Sequence, residues 1–210
     1  MAKVTGISGY AEAHETNFNA VTERLPVGGY VLKINQVRLE SYDWGAVIVM
    51  AFDIAEGEKK GFFKKQFDCM LEEYKKWKGT YRLTIPKPKS NNQDDMDKYH
   101  RQLGFFKSQI EAFNKSNNCN IDPSSEWDID VLKGKLVGAV FCNAEWYIDG
   151  KSGWYTACDH LLPVQDIRSG NFKIPKDRPA RNKPKDAPSA IPVGGTDDFE
   201  EVLSDEEVPF

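Results

Sequence analysis

The chain of 210 residues predicts a mainly β fold with one principal helix: about five strands curled into a small β-barrel, followed by a disordered C-terminal tail. Three observations carry that expectation. Runs of β-branched and aliphatic residues, punctuated by Gly, Pro, Asn and Asp, recur between Tyr30 and Leu161. One stretch alone, around Asp94 to Phe113, keeps a sustained helical spacing of apolar residues. Beyond Ile167 the chain turns to Pro, Lys, Arg and Ala, with little to bury. A composition of 40% hydrophobic and 29% charged residues suits one sizeable core with disordered ends.

Met1 to Arg24 lacks a sustained apolar period and is expected to form a flexible N-terminal arm, with the folded domain spanning residues 25–170. Structure is expected to begin at Leu25-Pro26-Val27-Gly28-Gly29. Tyr30 to Leu39 is the first strand, Ser41 to Gly45 a turn, and the apolar run Ala46 to Ala55 the second strand of a hairpin. Gly61 to Phe67 mixes aromatics with lysines and reads as a third strand. Leu71, Tyr74 and Trp77 recur at helical spacing, compatible with a short helix or an irregular loop. Tyr81 to Ile85 is a short alternating segment closed by Pro86 and Pro88. The principal helix enters through Ser90-Asn91-Asn92, with Asp94, Asp95 and Asp97 complementing its dipole. Tyr99, Leu103, Phe106, Ile110 and Phe113 form its apolar stripe, expected to face the core. Leu136 to Ile148 and Trp154 to Leu161 form a second hairpin across Asp149 to Gly153.

This order, with the helix between the third and fourth strands, is that of the five-stranded oligonucleotide/oligosaccharide-binding (OB) barrel. A sandwich or another small barrel would give much the same string.

The net charge of -4 hides an asymmetry: residues 1–170 sum to -1, residues 171–187 to +4 and residues 188–210 to -7. Residues 171–195 read as a basic Pro-rich linker and 196–210 as an acidic protein-docking tail ending on Pro209 and Phe210. The apolar pair beside Asp205, Glu206, Glu207 and a free carboxylate suits a basic-rimmed hydrophobic pocket on a partner. No apolar run is long enough to span a bilayer and no secretion signal is apparent, so an intracellular protein without membrane attachment is expected. Four scattered cysteines fit reduced thiols.

Walker-type loops, H-E-x-x-H and G-x-S-x-G are missing, and no enzyme activity or cofactor is expected. Cys142, Cys158 and His160 lack the close-spaced pairing of structural zinc sites, so no metal centre is expected. What does carry information is the interleaving of aromatics with Lys and Arg. Single-stranded nucleic acid is held without sequence preference by flat π surfaces and cations. The candidates are Lys33, Tyr42, Trp44, Phe62, Lys64, Lys65, Trp77, Lys78, Tyr81, Arg82, Trp146, Lys151 and Trp154. Trp44, Trp77, Tyr81 and Trp154 lead because each lies beside a turn or a charged run, while about half of the interleaved aromatics are expected to be core.

Two resemblances join here. The acidic tip ending in Pro209-Phe210 resembles that of bacterial single-stranded DNA-binding proteins, which recruits replication and repair enzymes. The body resembles single-stranded DNA-binding proteins of phages and prophages of Gram-positive bacteria. The similarity lies in Pro26-Val-Gly-Gly-Tyr30, Phe52-Asp-Ile-Ala-Glu-Gly57, Gly61-Phe-Phe-Lys-Lys-Gln66, Trp77-Lys-Gly-Thr-Tyr81, Leu132-Lys-Gly-Lys135 and Ile167-Arg-Ser-Gly-Asn-Phe-Lys173. The resemblance implies the OB barrel and a role in phage DNA replication or recombination, in the cytoplasm of the bacterial host cell. Outside its tail the chain does not resemble the bacterial housekeeping protein, so that protein's tetramer and DNA-wrapping residues are not carried over. A homo-oligomer stays open. The competing expectation is a protein-protein adaptor in a phage assembly or recombination complex, without direct DNA binding, which the near-neutral body keeps in play.

Overall fold

Five antiparallel strands form one sheet, and the longest of them is shared between two neighbours. The structure, a computed structural model, describes residues 23–184 together with Ser8. Most of the expected arm, and the whole acidic tail with Asp205, Glu206, Glu207, Pro209 and Phe210, lie outside the described residues. Strand β1 (Gly28–Tyr42) pairs along Gly28 to Lys33 with β4 (Leu136–Ile148), and from Leu32 onward with β2 (Gly45–Ile54). A bulge makes this double allegiance workable. Ile34 opposes Phe52 and Gln36 opposes Ala51, so Asn35 is an extra residue that bends the strand and lets Ile34 and Val37 both face inward.

β3 (Thr80–Ile85) pairs with β2, and β5 (Lys151–Leu162) with β4, giving the order β3-β2-β1-β4-β5. Alternation along each strand puts Leu32, Ile48, Met50, Phe52, Leu83, Val137, Ala139, Phe141 and Leu161 into the core. Among the described residues no hydrogen-bonded ladder joins the end strands β3 and β5. They meet instead on helix α2 (Gln93–Asn117), where the Gln109 side-chain oxygen accepts bonds from the Tyr81 hydroxyl at 3.1 Å and the Leu161 amide at 2.7 Å.

The differences from the sequence expectation have physical causes. The segment expected as a third strand is helix α1 (Phe62–Cys69): Phe62, Phe63 and Gln66 are buried at helical spacing, while Lys64, Lys65 and Asp68 face solvent. Gly61 offers no capping side chain, so Asp53 on β2 accepts the first amides, Phe63 N at 3.0 Å and Lys64 N at 3.1 Å. The third strand is the later 80–85 segment. Between them, the stretch expected as a short helix or loop contains only a single 3₁₀ turn at Glu72–Tyr74.

Helix α2 is capped as its sequence predicts, with the Asn92 side chain accepting the Asp95 amide at 2.8 Å and Asn118 closing it in the left-handed region. Its stripe reaches the core only in its second half, through Phe106, Ile110 and Phe113; Leu103 is 40% exposed because Gln93 to Phe105 contribute no buried residue.

The ends of the folded body differ most. Glu23 and Arg24, expected in the loose arm, are tied down: Gln66 donates to the Glu23 carbonyl and Arg24 to the Asn143 side chain, at 2.7 and 2.8 Å. The fold does not stop near Gly170 either. Helix α3 (Val164–Arg168) and Phe172 cover the sheet face opposite the core, where Gly29 and Gly138 make room. A Cβ on Gly29 would lie 2.5 Å from the Phe172 ring, and one on Gly138 2.5 Å from Ile167. Arg178 then forms a parallel rung with β4, its amide donating to Asn143 O (2.9 Å) and its carbonyl accepting from Glu145 N (2.8 Å). Lys183 closes this strap in an ion pair with Glu145, whose side chain is 3% exposed. The strap holds by hydrogen bonds and one buried charge pair, which a search for apolar residues does not detect. No helix among the described residues is long and apolar enough to cross a membrane.

Candidate functional site

The Asn35 bulge also decides what the sheet presents outward. With Val37 turned to the core, alternation sends Gln36, Arg38, Glu40 and Tyr42 to the opposite face. Register places Arg38 of β1 and Arg82 of β3 on either side of Val49 of β2, and Glu40 beside Val47. Val47 and Val49 are 0% and 4% exposed although they stand outside the core cluster. The side chains above them account for this. Arg82 reaches across β2, a span of about 10 Å between outer strands, to donate to Glu40 Oε2 at 2.6 Å and to the Tyr42 hydroxyl at 2.7 Å.

Glu40 gathers this cluster. Its Oε1 accepts from Arg38 Nε at 2.8 Å, and its Oε2 accepts from the Tyr42 hydroxyl at 2.6 Å as well as from Arg82. The Tyr42 hydrogen bond, with the two arginines, pushes the carboxyl down to about 2, so it is ionised at neutral pH. Beyond it, at the hairpin turn, the rings of Tyr42 and Trp44 stack with centroids 5.0 Å apart and planes 9° apart. Both are exposed, 41% and 48%. The assembly is an aromatic platform beside two guanidinium groups on a sheet face, able to stack a planar ring and hold an anion.

Other sequence candidates fall elsewhere. Phe62 and Tyr81 are core residues, 6% and 8% exposed, so an exposed stacking role for them gives way. In Tyr81-Arg82-Leu83 the strand turns Tyr81 and Leu83 inward and leaves Arg82 outside; burial pushes the Tyr81 phenol up, so it keeps its proton and donates it in a hydrogen bond to the Gln109 side-chain oxygen. Trp77 is half-buried and pinned, its indole N–H donating to Phe52 O (3.1 Å) and Gly79 O (3.0 Å). Phe67 packs against it at 5.6 Å, and Lys75 sits over the Phe67 ring. Lys64 and Lys65 are exposed on α1, Lys64 paired with Asp68 at 2.7 Å, and Lys78 is exposed just before β3. Lys33 is exposed on β1 in register with Asp53.

In the β4–β5 hairpin Trp146 opposes Gly153 and Trp154 opposes Glu145, so the two indoles lie on opposite faces and cannot share a platform. Trp146 lies on Gly153, where a Cβ would meet its ring at 2.7 Å. Trp154 shares its face with Glu145, which the strap covers. Exposed Lys151 begins β5 on the Trp146 side.

The structure thus brings together Tyr42, Trp44 and Arg82 of the sequence candidates and adds Arg38 and Glu40, which the sequence reading missed. Their signal was the period of two in Arg38-x-Glu40-x-Tyr42, hidden by the bulge at Asn35 in the same strand. Comparison with protein-family models and with curated proteins gives no match to this chain.

Proposed function

We propose that this chain binds single-stranded DNA with little sequence preference, on the outer face of β1, β2 and β3. The observation that carries the reading is the exposed Tyr42–Trp44 stack next to Arg38 and Arg82. Bases stack on such a platform with about 1–3 kcal/mol each, whatever their identity. Guanidinium groups hold the phosphates between them, releasing counterions and making affinity fall steeply with salt. The strand order, with a helix between the third and fourth strands, suits closure into an OB barrel, whose first hairpin loop flanks the ligand. The resemblance of the body to phage single-stranded DNA-binding proteins supports a part in phage DNA replication or recombination inside the host cell. In this reading the acidic tip recruits replication or recombination proteins through Asp205, Glu206, Glu207, Pro209 and Phe210.

A titration of fluorescent oligo-dT at two salt concentrations tests it. Binding is expected to be tight at low salt and to weaken sharply at high salt, with Trp44→Ala losing about tenfold, the share of one stacked base. Absence of binding at low salt overturns the reading in favour of a protein adaptor, for which the exposed Leu103 and Phe105 of α2, at 40% and 47%, are the surface to test by substitution.

A further inference from the structure

Two guanidinium groups and a phenol hydroxyl converge on one carboxylate at the surface of the sheet. The fold does not require that carboxylate for its core: Glu40 is 22% exposed, and its partners Arg82 and Arg38 are 33% and 64% exposed, so all three can exchange partners with solvent ions. Guanidinium forks donate to phosphate oxygens in the same geometry as to a carboxylate. The seat also adjoins the stacking platform through a shared residue, since Tyr42 gives its hydroxyl to Glu40 and its ring to Trp44. A phosphate replacing the carboxylate would leave its attached nucleoside beside those rings.

We infer that Glu40 is a built-in stand-in for a nucleic-acid phosphate, seated between Arg38, Arg82 and the Tyr42 hydroxyl and displaced when a phosphodiester binds. This deepens the single-stranded DNA reading and rests on it. The exchange conserves charge, so the side chain keeps the arginines aligned in the empty protein and competes with DNA for them. Affinity is thereby held below what the cations alone would give. A residue that only positions the arginines would have the opposite effect on removal, and the sign of the change separates the two roles.

The test is oligo-dT titration of the full chain across a salt series, with Glu40→Gln, which keeps the size and removes the charge. Glu40→Gln is expected to bind roughly three- to tenfold more tightly at low salt, with a log affinity against log salt slope steeper by about one, because the seat then offers the phosphate one more net positive charge. Adding Arg82→Gln to this variant is expected to remove the gain. Unchanged or weaker binding by a Glu40→Gln protein that still melts cooperatively overturns the inference while leaving the DNA reading intact. Failure of both wild type and Glu40→Gln to bind overturns both. Should Glu40→Gln not fold, Arg82→Gln alone decides: its slope is expected to be shallower by about one, and an unchanged slope removes Arg82, and with it the seat, from the DNA contact.

Discussion

At the scale of single residues, Glu40 has a second, independent signature in its titration. Its carboxyl is held at about 2 against an ordinary 4.5, first by the Tyr42 hydroxyl and then by Arg38 and Arg82. A depressed folded-state value stabilises the fold wherever the carboxylate is charged, above its unfolded value, and the contribution disappears as pH falls from about 4.5 towards 2. The melting temperature of the wild type is therefore expected to exceed that of Glu40→Gln at pH 6 and to converge with it on acidification through that window. A difference that persists unchanged to pH 2 would mean that the variant perturbs something other than this charge. Neighbouring residues show how differently equal-looking side chains behave. Tyr42 and Tyr81 are both tyrosines beside the same arginine in space or sequence, yet one is 41% exposed and the other 8%, because the first lies past the last core row of β1 and the second on the inward register of β3.

At the scale of elements, the strap after α3 separates what the chain's pattern discloses from what it withholds. Lys183, 8% exposed, balances Glu145, 3% exposed. Removing the cation leaves a buried carboxylate without its partner, a change that costs about 3 kcal/mol or more. Lys183→Met is expected to lower unfolding stability in urea by that amount, and Glu145→Leu with Lys183→Met to recover much of it; equal stability of Lys183→Met and wild type would place the pair in solvent. The segment containing Lys183 read as a linker because it holds few apolar residues. Strands announced by aliphatic runs, the hairpins, and the Asn92-capped helix were legible because burial and capping leave local patterns. Helix α1 was not, since Phe62-Phe63-Lys64-Lys65-Gln66 fits a strand until Asp53, ten residues away in sequence, is seen to receive its first amides. The platform was legible through Tyr42, Trp44 and Arg82, while Arg38 and Glu40 were missed because Asn35 shifts the inward-outward phase of β1.

At the scale of the whole molecule, the two ends of the sheet are joined through one amide. Gln109, 2% exposed on α2, accepts from Tyr81 on β3 and from the Leu161 amide on β5, strands that exchange no ladder bonds among the described residues. The curled sheet, with its core on one side and the Arg38–Glu40–Arg82 cluster on the other, depends on that join to keep β3 near β5. Gln109→Leu keeps the volume apolar but strands a buried phenol hydroxyl and a buried amide, each costing about 1–3 kcal/mol. A loss of roughly 2–4 kcal/mol in unfolding free energy is expected, with the Leu161 amide among the first to lose hydrogen-exchange protection. Adding Tyr81→Phe to Gln109→Leu removes one stranded group and should restore part of the loss, so the double variant is expected to be more stable than Gln109→Leu alone. Oligo-dT affinity should stay within about twofold of wild type, because Tyr42, Trp44 and Arg82 face away from the substituted helix and ordinary additivity holds between separated sites. A variant that keeps its stability would show that β3 and β5 stay together without Gln109. One that keeps its fold but loses oligo-dT binding would move the proposed nucleic-acid surface from the outer face of β1–β3 towards the β3–β5 junction.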